Sequence, residues 1–135
     1  MSIENNVSEF VDYLEENYGD SEKIVEIGIG KFRDVFLKIK EELDIEVFSI
    51  DIIESREDFV DDITDPRMGI YEDSDLIYSI RPPLELQKSM ARVCEEVESD
   101  LIIIPFDSEI LELDEFFDEF YLENLGDLTM YRGIN

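Results

Sequence analysis

The stretch Lys23-Ile24-Val25-Glu26-Ile27 runs directly into Gly28-Ile29-Gly30, and beyond it Phe32, Val35, Phe36, Ile39 and Leu43 recur at helical spacing. A buried strand, a glycine-containing turn and an amphipathic helix in succession constrain the fold more than any other feature. Such a unit buries its faces only by pairing with a further parallel strand. Glu46 to Asp51 supplies that strand, parallel to the first if the helix between them makes the usual right-handed crossover. A weaker strand around Phe59-Val60, a fourth from Asp75 to Ile80 and a fifth from Asp100 to Pro105 follow. Pro82-Pro83 opens a helix with Leu86, Met90, Val93, Cys94 and Val97 on its buried face. This rhythm predicts an α/β fold, Rossmann-like, with a mostly parallel sheet covered on both faces.

The two ends read differently. Ile3, Val7, Phe10, Val11, Leu14 and Tyr18 predict an opening amphipathic helix stopped by Gly19. Ile110 to Phe117 predicts a short acidic helix, and Phe120-Tyr121-Leu122 with Leu128-Thr129-Met130-Tyr131 predicts a closing antiparallel hairpin around Asn124 and Gly126. With no internal repeat or low-complexity linker, residues 1–135 are expected to form one domain.

Charge bounds the partners. Acidic side chains number 37 against 11 basic ones, a formal net charge of -26, and no basic residue lies between Arg92 and Arg132. A phosphate backbone is repelled by such a surface, so direct nucleic-acid binding is not expected, whereas a basic protein could dock on the last third. The plainer reading is that acidity serves solubility. The longest apolar run, Leu101 to Ile104, is too short to span a bilayer, and the start carries no secretory pattern, so a cytoplasmic protein without membrane partners is expected. With no histidine and a single cysteine, Cys94, soft metal sites and Ser-His or Cys-His nucleophile pairs are excluded; carboxylate-bound Mg or Ca stays open, but no calcium-loop spacing appears and no metal ligand is assigned.

The chemistry-bearing residues cluster at strand ends. Gly28 and Gly30 let the backbone turn sharply and let a ligand approach atoms that a Cβ would shield, although a tight packing turn would use them equally well. Asp51 ends the second strand where nucleotide-binding Rossmann folds place the acid that holds ribose hydroxyls. Asp61 and Asp62 follow the third strand, where a carboxylate can accept from an adenine amino group. Together these residues favour a small-molecule adenosine ligand. Glu26, two residues before the glycines, suits the ammonium and sulfonium of S-adenosylmethionine better than the pyrophosphate of NAD, while Lys31 and Arg33 pull the other way.

In order and spacing, Glu26-Ile27-Gly28-Ile29-Gly30, Asp51, Asp62 and Asp75-Leu76-Ile77-Tyr78-Ser79 resemble the cofactor motifs of class I S-adenosylmethionine-dependent methyltransferases. The segment Tyr78-Ser79-Ile80-Arg81-Pro82-Pro83-Leu84-Glu85-Leu86-Gln87 is similar to a hallmark of a small archaeal family of uncharacterised proteins with that core. The resemblance implies strand order 3-2-1-4-5-7-6 and a cofactor site of Glu26, Gly28, Gly30, Asp51 and Asp62. Its usual third glycine is replaced by Phe32, and the dinucleotide pattern would want one at Arg33. Where amino-methylating enzymes carry an Asn or Asp before Pro-Pro and an aromatic after it, this chain has Arg81 and Leu84. A donor-only guanidinium cannot accept amino hydrogens, so methylation of a base amino group is not expected. Arg81 is expected to hold an anionic substrate group or else to pair with an acid, and Tyr78 to act at the substrate side or else to sit in the core. Three functions remain open: a small-molecule methyltransferase, a non-catalytic binding or regulatory module, and, lower, an NAD-binding protein.

Overall fold

A computed structural model describes residues 2–53, 57–106 and 109–135. Three helices, α1 (Val7–Tyr18), α2 (Asp34–Glu42) and α3 (Gln87–Val97), alternate with seven strands: β1 (Lys23–Ile27), β2 (Glu46–Asp51), β3 (Phe59–Val60), β4 (Leu76–Ile80), β5 (Asp100–Ile104), β6 (Glu119–Leu125) and β7 (Leu128–Ile134). Single 3-10 turns lie at Ile3–Asn5, Met68–Ile70, Leu84–Leu86 and Asp114–Phe116. The strands form one sheet in the order β3-β2-β1-β4-β5-β7-β6, as the resemblance implied. β1 pairs in parallel with β2 and β4, β2 with β3, and β4 with β5; β7 runs antiparallel to both β5 and β6.

Period-two alternation distributes the core over two faces. Ile24, Leu76, Tyr78 and Ile102 turn toward α1 and α2, where Phe10, Leu14, Phe36 and Ile39 meet them. Val25, Ile27, Ile77, Leu101 and Ile103 turn the other way, toward Met90, Val93 and Cys94 of α3. Each fully buried Leu, Ile or Phe contributes about 1.5–3 kcal/mol by leaving water, so both layers are needed for a sheet whose central strands carry apolar side chains on both faces. Cys94 lies within that packing, where burial pushes its thiol well above its ordinary value. β7 is tied to α1 through Arg132. Its guanidinium lies over the rings of Tyr13 and Tyr18 and donates to the hydroxyls of Tyr18 at 3.0 Å and Tyr121 at 3.1 Å.

Two local expectations are corrected. The opening helix is interrupted: Ile3–Asn5 is a 3-10 turn, and Asn6, whose Nδ2 donates to the Ser2 carbonyl at 2.6 Å, separates it from α1. The acidic helix expected from Ile110 is instead an irregular segment ending in the turn Asp114–Phe116. Leu111 and Leu113 are buried there while Ile110 and Glu112 are exposed, a period of two that suits an extended chain on the core.

Candidate functional site

The glycine turn leaves β1 at its carboxyl end. Gly28 and Gly30 adopt φ of +72° and +55°, in the left-handed region where a side chain is strained. Crowding is not the reason for glycine here, since a Cβ at Gly28 would find its nearest neighbour, Ser79 Oγ, 4.0 Å away. The turn is strapped to the end of β2. The N–H groups of Gly28 and Ile29 donate to the Ile50 carbonyl at 2.7 and 3.2 Å. Asp51 completes the strap: its Oδ2 accepts from the Gly30 N–H at 2.8 Å, and its Oδ1 accepts from the N–H groups of Ile52 at 2.7 Å and Ile53 at 3.3 Å.

Beyond β3 the two neighbouring acids have different environments. Asp61 is buried and accepts from the Tyr71 hydroxyl at 2.7 Å and Arg67 Nε at 3.2 Å, which makes it a structural anchor for the following loop. Asp62 accepts from the Thr64 N–H and hydroxyl with Oδ1, at 2.9 and 2.7 Å, and these bonds hold its carboxyl below its ordinary value.

A cavity of about 90 Å3 opens between these elements, lined by Gly28, Asp51, Asp61 and Asp62 together with Ile27, Ile50, Ile52, Ile63 and Leu86. Three of the residues expected at a cofactor, Gly28, Asp51 and Asp62, therefore share one cleft across the ends of β1, β2 and the loop after β3. Gly30 stands outside the lining and is joined to it through Asp51. Phe32 packs against the α1 and α2 side of the core, and Arg33 lies over the Phe36 ring at 5.3 Å, so neither bulky residue lines the cleft.

Glu26, Tyr78 and Arg81 are not at the cleft. Glu26 is 1% exposed and accepts from the Tyr78 hydroxyl at 2.5 Å, on the α1 side of the sheet. Burial pushes its carboxyl up to about 8 against the opposing pull of the Tyr78 bond and the Arg33 charge, which favours the neutral form. Tyr78 is fully buried, packs edge-on against Phe10 and cannot touch a substrate. The alternative reading of Tyr78 as core is the one the packing realises. Arg81 follows β4 at φ +51°, and its guanidinium pairs with the Glu4 carboxylate from the Ile3–Asn5 turn. It thus takes the ion-pair alternative.

Sequence reading did not single out the apolar walls. Ile27 and Ile50 could have been placed by strand periodicity, since both fall at strand ends on the α3 face. Leu86, expected on the buried face of a helix opened by Pro82-Pro83, instead ends the Leu84–Leu86 turn and lines the cleft from there. Among the described residues no helix is long and apolar enough to cross a membrane, and no three His, Cys, Asp or Glu side chains are grouped to hold a metal ion.

Comparison with known proteins gives the family and the fold. Residues 7–116 match the family described as "Uncharacterised protein family (UPF0146)". A UPF0146 protein of Archaeoglobus fulgidus is 38% identical over 109 residues, covering 77% of this chain and 82% of that one. Another, from Methanothermobacter thermautotrophicus, is 42% identical over 92 residues, covering 67% and 69%. Among solved structures, an S-adenosyl-L-methionine methyl transferase from Silicibacter pomeroyi DSS-3 superposes with a TM-score of 0.57 at 9% identity, over 98% of this chain and 91% of that one. Streptomyces venezuelae DesVI superposes at 0.56 with 11% identity, over 88% and 56%. At these identities the likeness concerns the fold. The chain belongs to the UPF0146 family, and its core is the Rossmann-like sheet of the methyltransferase type.

Proposed function

We propose that this protein binds an adenosine cofactor, S-adenosylmethionine before NAD, in the cleft at the carboxyl ends of β1, β2 and β3. The observation that carries the reading is the convergence of Gly28, Asp51 and Asp62 on one cavity whose lining includes three carboxylates and no cation. A pyrophosphate would be repelled there, whereas ribose hydroxyls and an adenine amino group are donors that carboxylates accept. Asp51 has given three of its roughly four lone-pair positions to backbone N–H groups and retains capacity for one hydroxyl. Asp62 engages Thr64 through Oδ1 and keeps Oδ2 for an amino group. The isoleucine walls and Leu86 offer an apolar slot for a base.

The slot of about 90 Å3 is smaller than the roughly 300–1,000 Å3 of whole-ligand pockets. The residues therefore fit the adenosine end of the cofactor. The remainder of the cofactor would extend beyond the slot. When bound, the cofactor would supply an activated methyl group; the protein's part in any transfer would be alignment. A second reading, a regulatory module that holds the ligand without turnover, is favoured by the engagement of Arg81 with Glu4 and the burial of Tyr78.

Calorimetric titration with S-adenosylmethionine, S-adenosylhomocysteine and NAD tests the proposal. Saturation by the first two at lower concentration than NAD is expected. Tighter binding of NAD, or no binding of either sulfur nucleotide, would overturn it.

A further inference from the structure

On the far side of the Leu84–Leu86 turn from the adenosine cleft lies a second, larger concavity of about 420 Å3. One wall is that turn and the start of α3, with Leu84, Gln87 and Lys88; the other is the segment from Ile110 through Leu111 to Leu113. Leu84 is 60% exposed and Ile110 is 79% exposed. Neither sits on a loose tail. Leu84 follows Pro82-Pro83 in a turn closed by the Leu86 N–H donating to the Pro83 carbonyl at 3.0 Å, and Ile110 precedes the buried Leu111 and Leu113. Two large apolar side chains thus stand exposed on opposite walls of the groove.

The surroundings identify the occupant. Glu85 and Glu112 stand in the lining, Lys88 is its one base, and the sequence from residue 93 to 131 contains no Lys or Arg. A second copy of a chain carrying a net charge of -26 would be repelled, as would an anionic lipid surface or a nucleic acid. An open groove with exposed rims also buries a small molecule poorly, whereas a protein segment laid across it covers both rims. We propose that this groove docks a basic protein segment that inserts an apolar side chain between Leu84 and Ile110 and sets lysines or arginines against Glu85 and Glu112. The surface does not depend on the adenosine cleft, so a failed nucleotide titration leaves it standing.

The test uses two synthetic peptides of equal positive charge, one of lysine and leucine in amphipathic order and one with serine in place of each leucine. At physiological salt the leucine peptide is expected to bind about ten-fold tighter or better, since one buried leucine contributes that much. Its amide-shift footprint should centre on residues 84–88 and 110–113. The double variant Leu84→Ser/Ile110→Ser should retain the wild-type melting temperature, because both side chains are exposed, and should bind the two peptides equally. Equal affinity of the wild type for both peptides, a leucine preference that survives the double substitution, or a footprint elsewhere would each overturn the proposal. So would a concentration-dependent dimer of the wild type that the double variant abolishes, since the occupant would then be a second copy. The footprint is read on the wild type and stands whether or not the variant folds.

Discussion

Glu26 and Tyr78 face each other in register across β1 and β4, joined by a hydrogen bond from the tyrosine hydroxyl to the carboxyl at 2.5 Å. The pair lies one residue before Ile27, whose carbonyl accepts from Ser79 Oγ at 2.7 Å, and two before the glycine turn. Two buried hydrogen bonds therefore tie β1 to β4 just before the glycine turn.

The buried Glu26 makes stability depend on pH in an unusual direction. Glu26 ionises at its ordinary 4.5 when unfolded but at about 8 in the fold, so between those values the folded state binds the extra proton and stability falls as pH rises. Glu26→Gln removes this dependence. In denaturant titrations the stability of the wild type relative to Glu26→Gln should decline from about pH 4.5 to about pH 8 and then level off. A difference that is flat over that range would contradict a buried neutral carboxyl.

Removing the partner leaves the acid without its donor. Tyr78→Phe should destabilise the fold by about 1–3 kcal/mol, the cost of an unsatisfied buried polar group. It should leave affinity for S-adenosylmethionine unchanged, because Tyr78 reaches no surface. A large loss of affinity with intact stability, measured by calorimetry and chemical denaturation, would return Tyr78 to the site.

The two cleft carboxylates should separate by the same pair of measurements. Asp51→Asn offers a single acceptor oxygen where Gly30 and Ile52 each use a different one, so stability should fall by about 1–2 kcal/mol and binding by about ten-fold. Asp62→Asn keeps Oδ1 for both Thr64 donors and replaces only Oδ2. Its stability should hold while adenosine binding weakens.

Arg81 combines a surface ion pair with a left-handed backbone. Arg81→Ala and Glu4→Gln should each cost at most about 1 kcal/mol, with the double variant no worse than either, and should leave ligand affinity alone. Arg81→Gly should be more stable than Arg81→Ala by about 1 kcal/mol, since glycine adopts φ +51° without Cβ strain. Thermal unfolding of the four variants checks the ordering.

Sheet order and the glycine turn were legible in the residues and their family resemblance because periodicity and glycine placement are local, and because parallel connections leave few topologies open. Gly28, Asp51 and Asp62 came together for the same reason: each ends, or follows, a strand of one sheet, and a parallel sheet brings those ends to one edge. Which way a side chain sits depends instead on what packs above it. Glu26 reads as an acid beside a cofactor turn, but strand alternation puts it on the face covered by α1, where Phe10 and Tyr78 exclude water and the carboxyl gains a proton. Arg81 reads as an anion ligand until the Ile3–Asn5 turn, seventy-odd residues earlier in the chain, brings Glu4 to it. Leu86 becomes a cleft wall, and Leu84 and Ile110 groove rims, only when segments distant in the chain meet around the Leu84–Leu86 turn. Those outcomes are decided by contacts between distant segments, whose burial and charge no local spacing encodes.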